Sequence, residues 1–448
     1  MPTHLILLAA GEGTRIQSDT PKVLHHIAHA PLFQHALNSA AALDGRRVVV
    51  VGHGSDAVAE AARASDPEIL IAEQKEQLGT AHAVAQAAEV LEGAGGDTLI
   101  LYGDTPFIQP ETLARMQTLR ADGADIVFLG FQTDDPGRYG RMVMDGDTLR
   151  RIVEYNDASE DERAIKLCNS GVVLARTETL LRLAASVGND NAAGEYYLTD
   201  IPALGAAEGL VTKVATCDEA ETLGINSRAD LAAAEAVFQS RARAAALGNG
   251  VTLQAPETVY FAADTVIGRD AIIEPHVIFG PGVTIESHAR IRAFSHIEGA
   301  HVGARAIVGP YARLRPGAEL SNDTRIGNFV EVKNASIADG AKVNHLSYIG
   351  DASVGERTNI GAGTITCNYD GVFKHRTEIG DDVFIGSNTM LVAPVSIGDE
   401  AMTATGGVVT VDVPAGDLAL ARARQTNKPG LARRLFARLR AAKAAQKG

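Results

Sequence analysis

A chain of 448 residues is longer than a single hydrophobic core organises, so two or three domains are expected. Hydrophobic residues at 46% and charged residues at 21% are ordinary for globular protein, and no apolar run is long enough to span a membrane. The net charge of −14 argues against nucleic acid as a partner, and three scattered cysteines (Cys168, Cys217, Cys367) form neither a disulfide framework nor a zinc site, which fits a reducing, cytoplasmic setting.

Met1–Leu8 has no basic lead-in and runs directly into glycines, which predicts a first β-strand and neither a secretory leader nor membrane insertion. Short runs rich in Val, Ile and Leu predict strands at Leu5–Ala9, Arg47–Gly52, Ile69–Ala72, Thr98–Tyr102 and Ile126–Phe131. Helical patterns lie between them at Leu32–Ala42, Ser55–Ala64, Gly79–Leu91 and Pro110–Ala121. This alternation predicts a Rossmann-like α/β domain over residues 1–227, a mainly parallel sheet with helices on both faces. Ligands in such folds sit beyond the carboxyl ends of the strands. The alanine-rich segment 228–248 predicts a linker helix, stopped by Gly248-Asn249-Gly250.

From residue 249 to 448 the periodicity changes. Large apolar residues recur every six positions: Ile267, Ile273, Phe279, Ile285, Ile291 and Ile297, then, after a one-residue slip, Val302, Val308, Leu314, Leu320, Ile326 and Val332. Similar slips precede Ile337, Val343 and Ile349, and then Val354 and Ile360; the beat returns at Ile379, Ile385, Leu391 and Ile397. Such hexads give a triangular parallel β-helix, one short strand and one corner per hexad, in about seven clear coils. The beat fails between Gly361 and Glu378, which predicts a loop extruded at Cys367–Arg376. A solenoid that breaks its repeat commonly does so for function.

Leu8-Ala9-Ala10-Gly11-Glu12-Gly13-Thr14-Arg15 follows the first strand, with Pro21-Lys22-Val23-Leu24 beyond. Gly11 and Gly13 allow backbone N–H groups to approach a phosphate chain, while Arg15 and Lys22 offset charge as pyrophosphate leaves. Tyr102-Gly103-Asp104 ends the fourth strand, where a carboxylate suits Mg²⁺; its plainer role is to cap the turn before Pro106. In the second half, His345 within Asn344-His345-Leu346-Ser347-Tyr348 falls on a corner. An imidazole there suits abstraction of a proton from an amine attacking a thioester. Arg315, Glu331, Lys333, Asn359, Asn368 and Tyr369 lie within one to three coils of it, close enough for stacking to gather them.

These motifs, together with Gln74, Gln77-Leu78-Gly79-Thr80, Tyr139-Gly140-Arg141, Val153-Glu154, Asn169-Ser170-Gly171, Glu195–Asp200 and Gly224-Ile225-Asn226, closely resemble bacterial N-acetylglucosamine-1-phosphate uridylyltransferase. The resemblance implies that Leu8, Ala9, Ala10, Gly11, Lys22, Gln74, Gly79, Thr80, Tyr102 and Gly103 hold the uridine nucleotide. Gly140, Glu154, Asn169 and Asn226 would hold the amino-sugar phosphate, and Asp104 and Asn226 the Mg²⁺. Leu314–Ala318, Gly327–Lys333, His345–Tyr348 and Gly361–Gly371 look like the glucosamine-1-phosphate acetyltransferase half of the same family. On that pattern His345 is the base and Glu331 orients it. Arg315, Lys333, Tyr348 and Asn359 would bind the sugar phosphate. Ala362, Asn368, Tyr369, Ser387, Thr405 and Arg422 would meet acetyl-CoA. A left-handed β-helix and a homotrimer with acetyl sites between subunits also come from the resemblance, as does the sequence of reactions. Glucosamine-1-phosphate is acetylated, then uridylylated from UTP, toward peptidoglycan and lipopolysaccharide precursors.

The likeness fails after Gly430. From Ala421 to Gly448 there are nine Lys and Arg and no acids. This segment is either a solvated basic tail or part of an anion site, with Arg422 and Arg424 as the candidates. Leu431, Leu435 and Leu439 predict a short amphipathic helix within it. Two departures from the family pattern are Ile16, where methionine is usual, and Thr405, where alanine is common. Two other readings are a single nucleotidyltransferase whose β-helix only assembles it and a non-enzymatic sugar-nucleotide sensor. Against the first stand His345, the polar corner and the loop at Cys367–Arg376, and against the second the presence of Lys22 together with Asp104.

Overall fold

A computed structural model of the chain describes residues 1–446 apart from Glu12 and His53–Ser55. Glu12 of the glycine-rich motif and Ser55, the expected start of the second helix, therefore lie outside the described residues. The chain forms two compact units, Met1–Ala242 and Arg243–Gly448. The boundary falls inside the helix Arg228–Gly248.

The first unit is built on strands β1 (Thr3–Ala9), β2 (Arg47–Gly52), β3 (Leu70–Gln74), β4 (Asp97–Tyr102), β5 (Ile126–Gln132), β6 (Arg141–Asp145), β7 (Thr148–Val153), β8 (Leu167–Arg176) and β9 (Thr212–Cys217). Among the described residues they form a nine-stranded sheet in the order β9-β5-β8-β4-β1-β2-β3, with the β6–β7 hairpin joined through β8. Strands β1 to β4 pair in parallel, while β8 runs antiparallel between β4 and β5. Along that order the sheet is mainly parallel, as the alternation requires, with β8 and the β6–β7 hairpin paired antiparallel. Between the hairpin and β8 stands only the four-residue helix Glu160–Arg163, too short to register as a helical period, so the alternation gives no sign of these strands.

Consecutive residues of β1 serve opposite faces. Leu5, Leu7 and Ala9 pack with Phe33, Val58, Leu113 and Met116, whereas Ile6 and Leu8 pack with Val84, Leu180, Leu183 and Ile201. Burial on both faces explains why β1 reads as a continuous apolar run. The strand order turns back at β1, whose neighbours are β2 on one side and β4 on the other. The crevice beyond the carboxyl ends of β1 and β4 is thus the expected ligand position.

In the second unit the apolar beat is the buried column of a left-handed parallel β-helix. Every residue of the six-residue series is buried except Ile267, which is half-buried at the first coil. Arg290 pairs with Ile272 one coil before it and with Ile307 one coil after it. These steps of 18 and 17 residues are the origin of the one-residue slips. Corners are turned by residues with left-handed backbone, among them Phe294 (φ 61°), Tyr311 (φ 57°), Phe329 (φ 55°) and Leu346 (φ 52°). Because the same conformation recurs at each level of that corner, the backbone of Leu346 beside His345 is a property of the coil and not local functional strain.

The column does not stop at Ile360. Thr366 continues it, fully buried and in register with Leu391, its hydroxyl donating to Gly350 O at 3.0 Å while accepting from Gly350 N at 2.8 Å. Threonine has the shape of valine, and with its hydroxyl satisfied it substitutes there without an orphaned polar atom. The extra residues follow it. Val354 pairs with Ile379, 25 residues on, and the excess is the predicted loop, closed by an antiparallel bridge between Tyr369 and Lys374.

Candidate active sites

A cleft of about 280 Å³ lies beyond β1 and β4, lined by Leu8, Ala9, Ala10, Gly11, Lys22, Gln74, Gly79, Thr80, Tyr102 and Asp104. Gln77, Val23, Ala83 and Glu195 complete the lining; Gln77, Val23 and Glu195 lie in the quoted motifs, but the resemblance implies no binding role for them. Gln77 Nε2 donates to Ala10 O at 2.8 Å and so fixes the glycine-rich loop. Gln74, buried, donates to Gly79 O at 3.1 Å. Gly79 has φ 120°, and a Cβ there would meet Tyr196 O at 2.5 Å, so only glycine lets these two segments touch. Thr80 Oγ1 accepts from Leu198 N at 3.0 Å. Buried Ile16 anchors the far side of the loop.

At the mouth of the cleft Lys22 Nζ is ion-paired with Asp104 Oδ2 and donates to Asn226 Oδ1 at 3.2 Å. Arg15 donates to the same Asn226 oxygen at 2.9 Å. Asp104 is held from behind, its carbonyl accepting from Ile225 N at 3.0 Å, and Asn226 is positioned by the capping carboxylate of Asp230. The structure thus brings the cationic pair Arg15 and Lys22 onto the oxygen pair of Asp104 and Asn226. Oxygens of Asp104 and Asn226 converge on one cationic nitrogen, a donor pair that fits a hard cation.

Gly140, Glu154 and Asn169 form a second group. Gly140 O accepts from Asn169 N at 2.8 Å, and a Cβ on Gly140 would lie 3.4 Å from Glu154 Oε1. Burial pushes the Glu154 carboxyl above its ordinary range, partly offset by a hydrogen bond from Thr199 Oγ1 at 3.1 Å. Gly171 (φ 89°) lets the turn after Asn169 close on Tyr102, whose phenol is pushed up by burial and by Asp104. Arg141 of the Tyr139-Gly140-Arg141 motif carries no implied binding role and is fully buried; its guanidinium donates to the carbonyls of Tyr139, Gly137 and Arg163 and braces the Gly140 segment.

In the β-helix, stacking places Asn328 beside His345, Glu331 beside Tyr348 and Lys342 beside Asn359. His345 Nδ1 lies 3.0 Å from Asn328 Oδ1, and its carbonyl accepts from Ser347 Oγ at 2.8 Å and Gly363 N at 3.1 Å. Glu331, the orienting residue in the resemblance, is instead engaged with Arg315 at 2.8 Å. Asn328 is thus the ring's partner here; it stands one coil below the histidine, the offset that points to it. Asn368 donates to Tyr348 Oη at 3.5 Å and to Asp351, tying the extruded loop to the coil. Lys374 of that loop stands beside Lys333 and pulls the Lys333 ammonium below its ordinary range. Two adjacent cations form a place for an anion. Ala362, Ser387 and Thr405 rise along one corner, with Asn388 N donating to Ala362 O at 2.7 Å and Gly406 N to Ser387 O at 2.8 Å. Tyr369, Thr405 and Arg422 are exposed.

The folds and these constellations define a nucleotidyltransferase joined to a hexapeptide-repeat transferase. Residues 5–193 match the model of the MobA-like NTP transferase domain, and residues 264–299 that of the bacterial transferase hexapeptide (six repeats). The chain is 65% identical over 447 residues to the bifunctional protein GlmU of Dinoroseobacter shibae and, over the same length, to that of Ruegeria sp.; in each case 100% of this chain and 99% of the relative are covered. It is 62% identical over 446 residues to the GlmU of Jannaschia sp., covering 99% of this chain and 98% of that one. The chain belongs to the bifunctional GlmU family, and it is an enzyme with uridylyltransferase and acetyltransferase activities. Among the described residues no helix is long and apolar enough to cross a membrane.

Proposed function

We propose that the cleft beyond β1 and β4 binds UTP and the sugar phosphate, that the His345 corner acetylates the amino sugar, and that the β-helix reaction comes first. The convergence of Arg15, Lys22, Asp104 and Asn226 at the cleft mouth carries this reading. A phosphate oxygen of N-acetylglucosamine-1-phosphate attacks the α-phosphorus of UTP, and pyrophosphate departs. Arg15 and Lys22 stabilise the charge it takes away, while Gly11 leaves the backbone open to the phosphate chain. Gly140, Glu154 and Asn169 hold the sugar. Asp104 and Asn226 would hold Mg²⁺, which supplies charge neutralisation to phosphate oxygens.

At the second site the amine of glucosamine-1-phosphate attacks the thioester carbonyl of acetyl-CoA. His345 takes the amine proton, with Asn328 holding its other ring nitrogen, and the thiolate of CoA leaves. Arg315, Lys333, Tyr348 and Asn359 receive the sugar phosphate. Ala362, Asn368, Tyr369, Ser387, Thr405 and Arg422 receive acetyl-CoA. In this reading the chain acts in the cytoplasm as a homotrimer. Supplying purified protein with acetyl-CoA, glucosamine-1-phosphate, UTP and Mg²⁺ should release free thiol and then pyrophosphate. Pyrophosphate released without acetyl-CoA at an undiminished rate would overturn the order of the two steps.

A further inference from the structure

After the last coil, residues 422–430 are exposed and lead into the helix Leu431–Ala445. None of the helix's residues is buried, and Leu435, Phe436 and Leu439 are 51%, 61% and 64% exposed. At the helical period, Leu431, Leu435, Leu439 and Ala442 align in one stripe, which Ala432 and Phe436 widen to roughly 140°. Arg433, Arg434, Arg438 and Arg440 share the rest of the circumference with Ala437, Ala441, Ala444 and Ala445, and Lys443 lies inside one border of the stripe. No acid occurs from Ala421 onward, although the whole chain carries 55 Asp and Glu against 41 Lys and Arg.

An exposed apolar stripe on a helix whose every charged residue is a cation suits a surface that is both apolar and anionic. A nucleic acid would engage the guanidinium groups and leave Leu435, Phe436 and Leu439 bare. An anionic bilayer surface answers both needs, offering phosphates to the arginines and the acyl boundary to the stripe. The helix is too short to cross: 15 residues rise about 22 Å, less than the roughly 30 Å hydrocarbon core. We propose that this helix lies flat on membranes rich in anionic phospholipid and tethers the enzyme there through residues 422–430.

Sedimentation of the full chain with vesicles tests this. Partitioning onto vesicles of equal parts phosphatidylglycerol and phosphatidylcholine should exceed that onto phosphatidylcholine alone by about tenfold and weaken as salt rises. Leu435→Ser with Leu439→Ser, and separately Arg434→Gln with Arg438→Gln, should each cut it by about tenfold. A chain ending at Gly430 should lose it while keeping its melting temperature and both activities, because the helix buries no residue. Equal partitioning onto both vesicles, or partitioning that survives removal of the helix, overturns the proposal. So does helix-dependent self-association without vesicles, which would make a second copy the occupant of the stripe.

Discussion

The two units bring functional side chains together by opposite means. In the α/β unit, Lys22 meets residues 82 and 204 positions away, and Arg15 one 211 away, because separate loops leave the same end of one sheet. In the β-helix, Asn328 meets His345 because 17 residues make one coil. The first arrangement depends on topology and the second on a repeat. In the first, residues that make the site are largely distinct from those that make the core; in the second, the same register sets both.

The sharpest break of this comparison is a substitution that silences one reaction and spares the other. His345→Ala should lower thiol release by about 10²–10⁴-fold and leave pyrophosphate release from supplied N-acetylglucosamine-1-phosphate unchanged. Lys22→Ala should do the reverse, costing about 10²–10³-fold in pyrophosphate release. If either variant depressed both rates in these separate assays, the division of labour between the units would be wrong.

Glycines sharpen the contrast at the level of stability. A methyl group at Gly327 would lie 1.9 Å from Asn344 O on the next coil, whereas one at Gly11 would touch nothing within 4 Å. Gly327→Ala should therefore destabilise its unit by about 1–3 kcal/mol in calorimetry. Gly11→Ala should leave folding within about 0.5 kcal/mol and instead raise the KM for UTP. A Gly11 variant that melts early would show the glycine serving the fold rather than the ligand.

A smaller effect belongs to the extruded loop. His375, together with the backbone N–H groups of Phe373 and Val372, draws the Asp370 carboxyl from 3.8 down to about 2. A depressed carboxyl stabilises the folded loop at pH above its unfolded value. That contribution fades as pH falls from about 3.8 through about 2. Carbon-13 titration of Asp370 should show this low midpoint, and His375→Ala should raise it; an unshifted midpoint in the unmodified chain would dismiss the clamp.

How much of this was legible in sequence follows the same division. The β-helix was readable nearly coil by coil, because burial repeats at fixed spacing. It failed at Thr366, where a satisfied hydroxyl stands in an apolar column and breaks a pattern defined by hydrophobicity alone. The parallel core of the first unit was readable from doubly buried strands, but β8 and its antiparallel insertion were not, since the one helix connecting them, Glu160–Arg163, is a single turn with no period to read. Lys22, Asp104 and Asn226 could be nominated by chemistry and resemblance. Their meeting on one nitrogen depends on strand order, and no spacing encodes it. Asn328 lay one coil from His345 and was recoverable by counting.

The finest test concerns Thr405, where the resemblance leads to the expectation of an alanine. The adjoining backbone is clamped, with Ala404 N donating to Ala419 O at 2.9 Å and Gly406 N to Ser387 O at 2.8 Å. The Thr405 side chain itself is exposed. If acetyl-CoA meets only the backbone at this corner, the methyl and hydroxyl groups are bystanders. Thr405→Ala should then change the KM for acetyl-CoA by less than about twofold and leave kcat unaltered, the scale of a surface substitution. A tenfold change in KM, equivalent to about 1.4 kcal/mol, would instead place the threonine side chain against the bound thioester.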